Sequence, residues 1–179
     1  MTCFWKRRSR KLDKKTALRL LEKKCCSKKV IAHCKAVSKQ AVKIAREVKR
    51  HGNKVDLDFV ETASLLHDIG RSKTHDITHC IEGASILKDY PRYARVCMRH
   101  IGAGIDKSEA RKLGLPPKSY IPKTIEEKII AHADNTIEGN RIIPIEKTIM
   151  AYEKKLGKMH SSTKRVIRLD KQIKSLMKR

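Results

Sequence analysis

The stretch "SLLHDIGRSKTHDITHCIEG", residues 64–83, places three histidines and two aspartates within twenty positions. His67 and Asp68 are adjacent, and His79 follows in the same stretch. No cysteine stands among these residues at a ligand-like spacing, so the donors are imidazole nitrogens and carboxylate oxygens. Such a mixed set suits Fe(II), Mn(II) or Zn(II) better than a structural zinc site, which favours thiolates. The alternative interpretation is a polar loop rich in histidine.

Three residues outside this stretch have the same chemistry, namely His33, His100 and Asp134. A carboxylate has two oxygens, so Asp68 could bridge two metal ions, which an imidazole cannot do. Two ions about 3.5–4 Å apart can hold a hydroxide between them and clamp a phosphoryl oxygen. Each residue alone is equally well explained as a core or surface side chain, so spacing by itself leaves both interpretations open.

The elements that must position these residues are predicted to be helical almost throughout. Apolar residues recur at three-to-four spacing, and "TIEE", 124–127, is a capping box. Pro91 suits the first turn of a helix, and Gly70 suits the position just beyond a helix end. The predicted helices are 16–24, 28–51, 56–68, 77–89, 91–100, 124–137, 144–155 and 162–177.

No segment alternates apolar and polar residues over a sustained run, so no β-sheet is expected. The predicted fold class is all-α, a compact orthogonal bundle of about seven to eight helices. Residues 105–123 are predicted to be mostly loop with one short helical turn at 108–113. A loop of that length is uncommon in a compact domain, so we expect it to form a rim or lid of a site.

The chain carries a formal net charge of +24, concentrated toward its ends. Residues 1–15 contribute +6 and residues 154–179 contribute +9, as much as the whole segment 16–153. A basic surface attracts polyanions, so RNA is a possible partner through the basic termini. Aromatic residues are only 4% of the chain, which argues against stacking platforms for bases and favours a solvated, lysine-rich surface.

Localisation is predicted to be cytoplasmic, with no membrane association. No apolar run approaches the roughly 18 residues of a membrane span, and the charged N-terminus is not followed by the apolar stretch of a secretory signal. The six cysteines lack C-x-x-C spacing, which favours reduced thiols over a disulfide framework.

The motif "LLHDIG", 65–70, resembles the HD superfamily of metal-dependent phosphohydrolases, and more narrowly its HDIG branch. That branch has the order H, HD, H, H, D, and each position is occupied here. The matching residues are His33, His67, Asp68, His79 in "HCIEGA", His100 in "RHIGAG" and Asp134 in "AHADN". The resemblance implies an HD-type domain over 16–155, flanked by a basic extension 1–15 and a basic C-terminal helix 156–179.

The resemblance also implies roles for these residues. His33, His67, Asp68 and Asp134 would hold a first divalent ion, Fe(II) or Mn(II), with Asp68 as the bridge. His79 and His100 would hold a second ion, or would act on the substrate where only one ion is bound. The substrate implied is a small phosphoester.

Three residues of the following loop are further catalytic candidates beside Asp68. Arg71 and Lys73 have the charge to contact a phosphate, and Arg can do so with two donors. His75 could protonate a leaving alkoxide. Each is also explained as a solvated loop residue. His132, two positions before Asp134, is expected to point away from it and to be structural.

The sequence around the motif is similar to that of a small archaeal group of HDIG proteins. Within or near that group lies an iron-dependent phosphodiesterase that opens dihydroneopterin 2',3'-cyclic phosphate in methanopterin biosynthesis. The alternatives are a phosphohydrolase of a dinucleoside polyphosphate or a nucleoside monophosphate, and an RNA-associated phosphohydrolase or binding protein that uses the basic tails. A non-catalytic helical module is the remaining alternative.

Overall fold

The computed structural model describes residues 11–178, and in that range the chain is almost entirely helical. The nine α-helices are α1 (Lys14–Lys23), α2 (Lys28–Arg50), α3 (Leu57–Leu66), α4 (His79–Ile86), α5 (Pro91–Arg99), α6 (Lys107–Lys112), α7 (Ile125–Asn135), α8 (Ile145–Leu156) and α9 (Ser161–Leu176). A 3-10 helix, Ile69–Ser72, follows α3. The strands β1 (Ile137–Glu138) and β2 (Arg141–Ile142) form an antiparallel hairpin. The predicted all-α class is therefore confirmed.

Side chains at the helix starts explain why most helices begin where they do. Ser27 accepts a hydrogen bond from the Val30 amide at the start of α2, and Asp56 accepts one from Phe59 at the start of α3. The predicted capping box is present, since the Thr124 hydroxyl accepts from the Glu127 amide at 3.2 Å. Each cap satisfies an amide that has no partner within its helix.

The core lies where α2, α3 and α7 pack together, with α1, α5 and α9 around them. Helix α2 buries one stripe at three-to-four spacing, which explains why its periodicity was visible in the sequence. Helix α3 is buried almost all round, with Val60, Ala63, Leu65 and Leu66 at 1% exposure or less. The carboxyl end of α3 is therefore held in the centre of the bundle.

The short helical turn predicted at 108–113 is present as α6, which has its own capping box between Asp106 and Glu109. The antiparallel hairpin differs from the sequence expectation. The hairpin of β1 and β2 was not expected, because two-residue strands are too short to show alternation. Its turn residues, Gly139 and Asn140, are a recognised hairpin signal.

The expectation that Gly70 is a left-handed C-cap glycine was wrong. Gly70 lies inside the 3-10 helix and has no positive φ. A Cβ at this position would overlap the His79 carbonyl oxygen and would lie 2.5 Å from the Gly83 amide nitrogen. The glycine is needed because the backbone after Asp68 packs directly against the backbone of α4.

Both chain ends of the described range join the bundle. The Leu12 amide donates to the Tyr93 hydroxyl at 3.0 Å, while residues 1–10 of the predicted basic extension lie outside the described residues. Helix α9 packs on α7 and α8 and buries Val166, Leu169 and Ile173. Within residues 11–178, no helix is long and apolar enough to cross a membrane.

Candidate metal centre

Five helices bring six side chains to one point at the carboxyl end of α3. This six-residue cluster consists of His33 from α2, His67 and Asp68 at the end of α3, His79 at the start of α4, His100 just after α5, and Asp134 near the end of α7. His67 keeps helical dihedral angles, whereas Asp68 has left the helix with φ −104° and ψ 14°. That change of direction lets two consecutive side chains converge.

The two oxygens of Asp68 face different pairs of histidines. Its Oδ1 lies 3.2 Å from His79 Nε2 and 3.3 Å from His100 Nε2. Its Oδ2 lies 3.9 Å from His33 Nε2 and 3.8 Å from His67 Nε2. The carboxylate therefore stands between two groups of donors, as a bridging ligand would.

Asp134 completes the group around His33 and His67. Its Oδ1 is 3.0 Å from His33 Nε2 and 3.5 Å from His67 Nε2. One ligand atom from each of these three residues lies within 4.8 Å of the others, and the same holds for His67, Asp68 and His100. The spacing is short enough for a metal ion to be shared within each group.

Backbone carbonyls fix the orientation of all four imidazoles. The Nδ1 atoms of His33, His67, His79 and His100 are hydrogen bonded to the carbonyl oxygens of Gly139, Ser64, Asp76 and Cys97, at 2.6–2.8 Å. A carbonyl only accepts, so each Nδ1 carries the proton. In the neutral ring, Nε2 then has a free lone pair directed into the cluster, as in metal-ligating histidines.

Two buried atoms of the cluster have no hydrogen-bond partner, which indicates that a cation fits here. His67 Nε2 and Asp68 Oδ1 are both fully buried and unpaired. Buried polar atoms are rarely left in this condition, because the loss of water is not compensated. A divalent ion would satisfy both, since each is a ligand atom of a type that such ions accept.

The electrostatics of the cluster also favour a bound positive charge. Burial raises the pKa of Asp68 and Asp134, but the neighbouring imidazoles, His67 foremost, outweigh it and hold both values well below the usual range. Burial lowers the pKa of His67, yet Asp68 and Asp134 hold it well above its ordinary value. Burial lowers the pKa of His100, so that ring stays neutral more readily.

In the described residues, no cysteine belongs to the groups of ligand atoms that lie within 4.8 Å of one another. The Cys97 Sγ donates to the Leu66 carbonyl at 3.2 Å, and burial raises its pKa well above the ordinary value. Burial also raises the pKa of Cys26 to about 11. The cysteines from Cys25 to Cys97 are all free. The donor set is therefore nitrogen and oxygen only.

The three loop candidates lie at different distances from the cluster. Arg71 contacts it directly, because its Nε donates to Asp68 Oδ2 at 2.5 Å. Lys73 and His75 are exposed on the same loop, and the His75 carbonyl accepts from Arg71 Nη1 at 3.4 Å. Their catalytic roles stay predictions, as do the ligand roles of the six-residue cluster.

Sequence reasoning assigned His132 correctly to a structural position. Its Nε2 lies 3.0 Å from Asp170 Oδ1 on α9, away from the cluster. Two contacts were not predicted from the sequence. The Gly139 carbonyl in the hairpin turn orients His33, and the Asn135 side-chain amide donates to the Gly102 carbonyl at 2.7 Å. The Gly-Asn dipeptide indicates the hairpin turn that holds the Gly139 carbonyl, whereas no local sequence pattern indicates the contact of Asn135 with Gly102.

The sequence model of the HD domain matches residues 30–138, which contain the whole six-residue cluster. The chain belongs to the HD domain family. An uncharacterized protein of Methanocaldococcus jannaschii is 50% identical over 159 residues, 87% of this chain and 94% of the relative. Membership of the family supports the coarser assignment made from the sequence, a metal-dependent phosphohydrolase.

Two further relatives are tRNA (cytidine(56)-2'-O)-methyltransferases. The protein of Picrophilus torridus is 40% identical over 167 residues, 92% of this chain and 47% of the relative. That of Thermoplasma volcanium is 40% identical over 162 residues, 89% of this chain and 46% of the relative. The chain thus spans about half the length of these two relatives. No solved structure matches the chain.

Proposed function

We propose that the chain is a metal-dependent phosphodiesterase that opens a 2',3'-cyclic phosphate, with dihydroneopterin 2',3'-cyclic phosphate as its specific substrate. The observation that carries the hydrolase proposal is the placement of Asp68 between two groups of imidazole donors. The Nε2 atom of each imidazole either has no hydrogen-bond partner or has a partner only within the cluster. The specific substrate rests on the resemblance of the motif region to the archaeal HDIG group.

In this proposal His33, His67, Asp68 and Asp134 would hold one divalent ion, and His79 and His100, together with Asp68, would hold a second. Fe(II) or Mn(II) fits the nitrogen and oxygen donor set. When bound, such ions supply hydroxide near neutral pH by lowering the pKa of water, and they polarise phosphoryl oxygens. The chain contributes the fixed tautomers of the imidazoles and the buried position that excludes bulk water.

The loop after Asp68 supplies the remaining groups. Arg71, already beside Asp68 Oδ2, presents its guanidinium to the phosphoryl oxygens and stabilises the charge that develops on them. Lys73 adds a second positive charge. His75 donates a proton to the leaving alkoxide as the P–O bond breaks, so the product is a phosphomonoester with a free neighbouring hydroxyl.

The test is anaerobic purification with metal analysis, followed by assay on a phosphoester panel. The panel contains dihydroneopterin 2',3'-cyclic phosphate, 2',3'-cyclic nucleotides, a dinucleoside polyphosphate and nucleoside monophosphates. We expect one or two equivalents of iron or manganese and the highest kcat/KM on a cyclic phosphate. Metal-dependent turnover of only the polyphosphate or the monophosphates would assign the nucleotide alternative.

An RNA-associated hydrolase is the second candidate, and two observations favour it. The exposed face of α2 carries Lys35, Lys39, Lys43 and Arg46 at three-to-four spacing, which we call the α2 stripe. Two relatives that contain the matching segment are named as tRNA methyltransferases. Lysines on one face of a helix suit a phosphate backbone, because counterion release then drives binding.

Deletion of residues 154–179 would not test this candidate cleanly, because α9 is part of the core. A triple variant of the α2 stripe, Lys35→Gln with Lys39→Gln and Lys43→Gln, removes three charges from exposed positions. The control changes the exposed Lys107, Lys123 and Lys158 to Gln, which alters the net charge equally. Weaker tRNA binding with a shallower salt dependence in the stripe variant alone would support RNA association.

A further inference from the structure

A cavity of about 510 Å³ lies between the turn after α5, helix α6 and helix α8. We call it the α6–α8 cavity. Its walls are mainly apolar and include Ile101, Ala103, Ile105, Ala151 and Leu156. A volume of this size is in the range of small-molecule sites, which are concave and mostly apolar with a few polar groups. Helix α8 lies outside the segment 30–138 that matches the HD domain, so this wall is supplied by the chain's own C-terminal part.

Two residues in the wall of the α6–α8 cavity stand close in sequence to histidines of the six-residue cluster. Ile101 directly follows His100, and Ile77, also in the wall, stands two residues before His79. The cavity wall therefore contains residues from the same two chain segments as His79 and His100, the histidines that face Asp68 Oδ1.

Tyr152 and Gly102 connect the cavity to the other side of the cluster. Tyr152 lies in the cavity wall, and a Cβ on Gly102 would overlap its hydroxyl group. The Gly102 carbonyl accepts a hydrogen bond from Asn135, the neighbour of Asp134. Tyr152 of the cavity wall and Asp134 of the cluster are thus linked through one contact at Gly102 and one hydrogen bond of Asn135.

The charged groups around the cavity suit an anionic ligand with an apolar, planar part. Lys112 and Lys155 are exposed cations in its wall. The Glu109 carboxylate is already occupied, since it accepts from the Ser161 and Ser162 hydroxyls and from Arg165. Its negative charge is compensated within the protein, so it does not oppose the approach of a phosphate.

We propose that the α6–α8 cavity is the subsite for the heteroaromatic ring of the small phosphoester substrate. The ring packs against the apolar walls, the Tyr152 hydroxyl hydrogen bonds to its edge, and the phosphorus lies at the six-residue cluster. This inference rests on the proposed phosphoester hydrolysis and adds the place where the planar ring of such a substrate binds.

A matched pair of variants on α8 tests the cavity without changing the core. Ala151→Phe places a ring in the cavity from an exposed position in its wall, whereas Met150→Phe adds the same side chain at a neighbouring position with 66% exposure that is not in the wall. The activity probes are 2',3'-cyclic AMP and glycerol 1,2-cyclic phosphate, which share the strained five-membered ester but differ in the ring.

We expect Ala151→Phe to raise KM for 2',3'-cyclic AMP by about tenfold or more and to leave glycerol 1,2-cyclic phosphate unchanged. Met150→Phe should match the wild type on both. Equal effects of Ala151→Phe on the two substrates, or no effect on either, would overturn the inference while leaving the hydrolase proposal intact.

Binding of rings without a phosphate gives a second measurement that does not depend on turnover. Adenosine, guanosine and neopterin are titrated into the wild type and both variants and followed by ligand-observed NMR. At least one should bind the wild type and Met150→Phe but not Ala151→Phe. If none binds the wild type, the inference fails; if one binds as expected but no cyclic phosphate is hydrolysed, the hydrolase proposal fails and the ring subsite stands.

Discussion

The Nε2 atoms of His79 and His100 face each other at 3.1 Å, although the Nδ1 of each ring is already hydrogen bonded to a backbone carbonyl. In the neutral rings both Nε2 atoms are acceptors, so two lone pairs oppose each other beside the Asp68 carboxylate. Neither ring can turn to relieve this without losing its carbonyl. A shared cation converts the repulsion into coordination.

Removal of divalent metal should therefore lower the stability of the folded chain. A ligand that binds only the native state stabilises it by about 2.7 kcal/mol when its free concentration is a hundred times its Kd. We expect a chelator to lower Tm, measured by differential scanning fluorimetry, and Fe(II) or Mn(II) to restore it. His79→Asn should reduce this metal-dependent shift, whereas His75→Asn, at an exposed position, should retain it.

Asp68→Asn should impair the cluster more than any change outside it. The substitution keeps the shape but removes the charge that faces both pairs of histidines. Loss of an outer partner of a ligand costs about 10–100-fold in metal affinity or activity, so loss of the bridging group itself should exceed about 100-fold. Metal content and kcat/KM on the best phosphoester are the measurements.

The control for that change is Asp58→Asn, an exposed aspartate in the first turn of α3, the helix that ends just before His67 and Asp68. It should keep both metal and activity. Circular dichroism of both variants should remain helical. Normal metal content in Asp68→Asn would contradict the role proposed for this residue.

The sequence was sufficient for helices such as α2 and α9 because each buries a stripe that repeats with the helical period. In α2 the buried Cys34, Val37, Ala41 and Ile44 show this repeat, so the position of His33 on the helix could be stated in advance. The six-residue cluster could be named from residue types and the family resemblance. Its convergence needed the packing of five helices, which no local pattern specifies.

Other structural features depend on contacts between distant segments of the chain and could not be predicted from the sequence. Gly70 looked like a helix stop, yet its reason is the approach of the α4 backbone from nine residues further along. The α6–α8 cavity combines residues from Ile77 to Ser162, so its existence depends on how α8 and α9 dock. The hairpin of β1 and β2 could have been predicted only from the Gly-Asn dipeptide in its turn.

Gly70→Ala should destabilise the fold and disturb His79 together. The added methyl group would overlap the His79 carbonyl, which cannot move independently of the first turn of α4. Overpacking of this kind costs about 1–3 kcal/mol. Urea unfolding and metal content are the measurements, and both should fall.

Gly114→Ala is the matched control, because a Cβ there meets nothing within 4 Å although φ is 71°. It should cost about 1 kcal/mol through backbone conformation alone and leave the metal content unchanged. Equal metal content in the two variants would show that close packing at Gly70 does not position His79.

The burial of His132 predicts a loss of stability in mild acid. Burial lowers the pKa of His132 below its ordinary value of 6.5, despite the hydrogen bond to Asp170 that raises it. The folded state thus binds fewer protons than the unfolded state once the pH falls below 6.5. The contribution of His132 to the free energy of unfolding is complete above that pH and decreases as the pH falls toward the folded pKa.

His132→Gln removes the titrating group and leaves an amide that can still donate to Asp170. The difference in unfolding free energy between wild type and variant should therefore shrink or reverse between pH 7 and pH 5, which urea titrations at each pH would measure. A constant difference between wild type and His132→Gln would mean that this histidine titrates alike in the folded and unfolded chain.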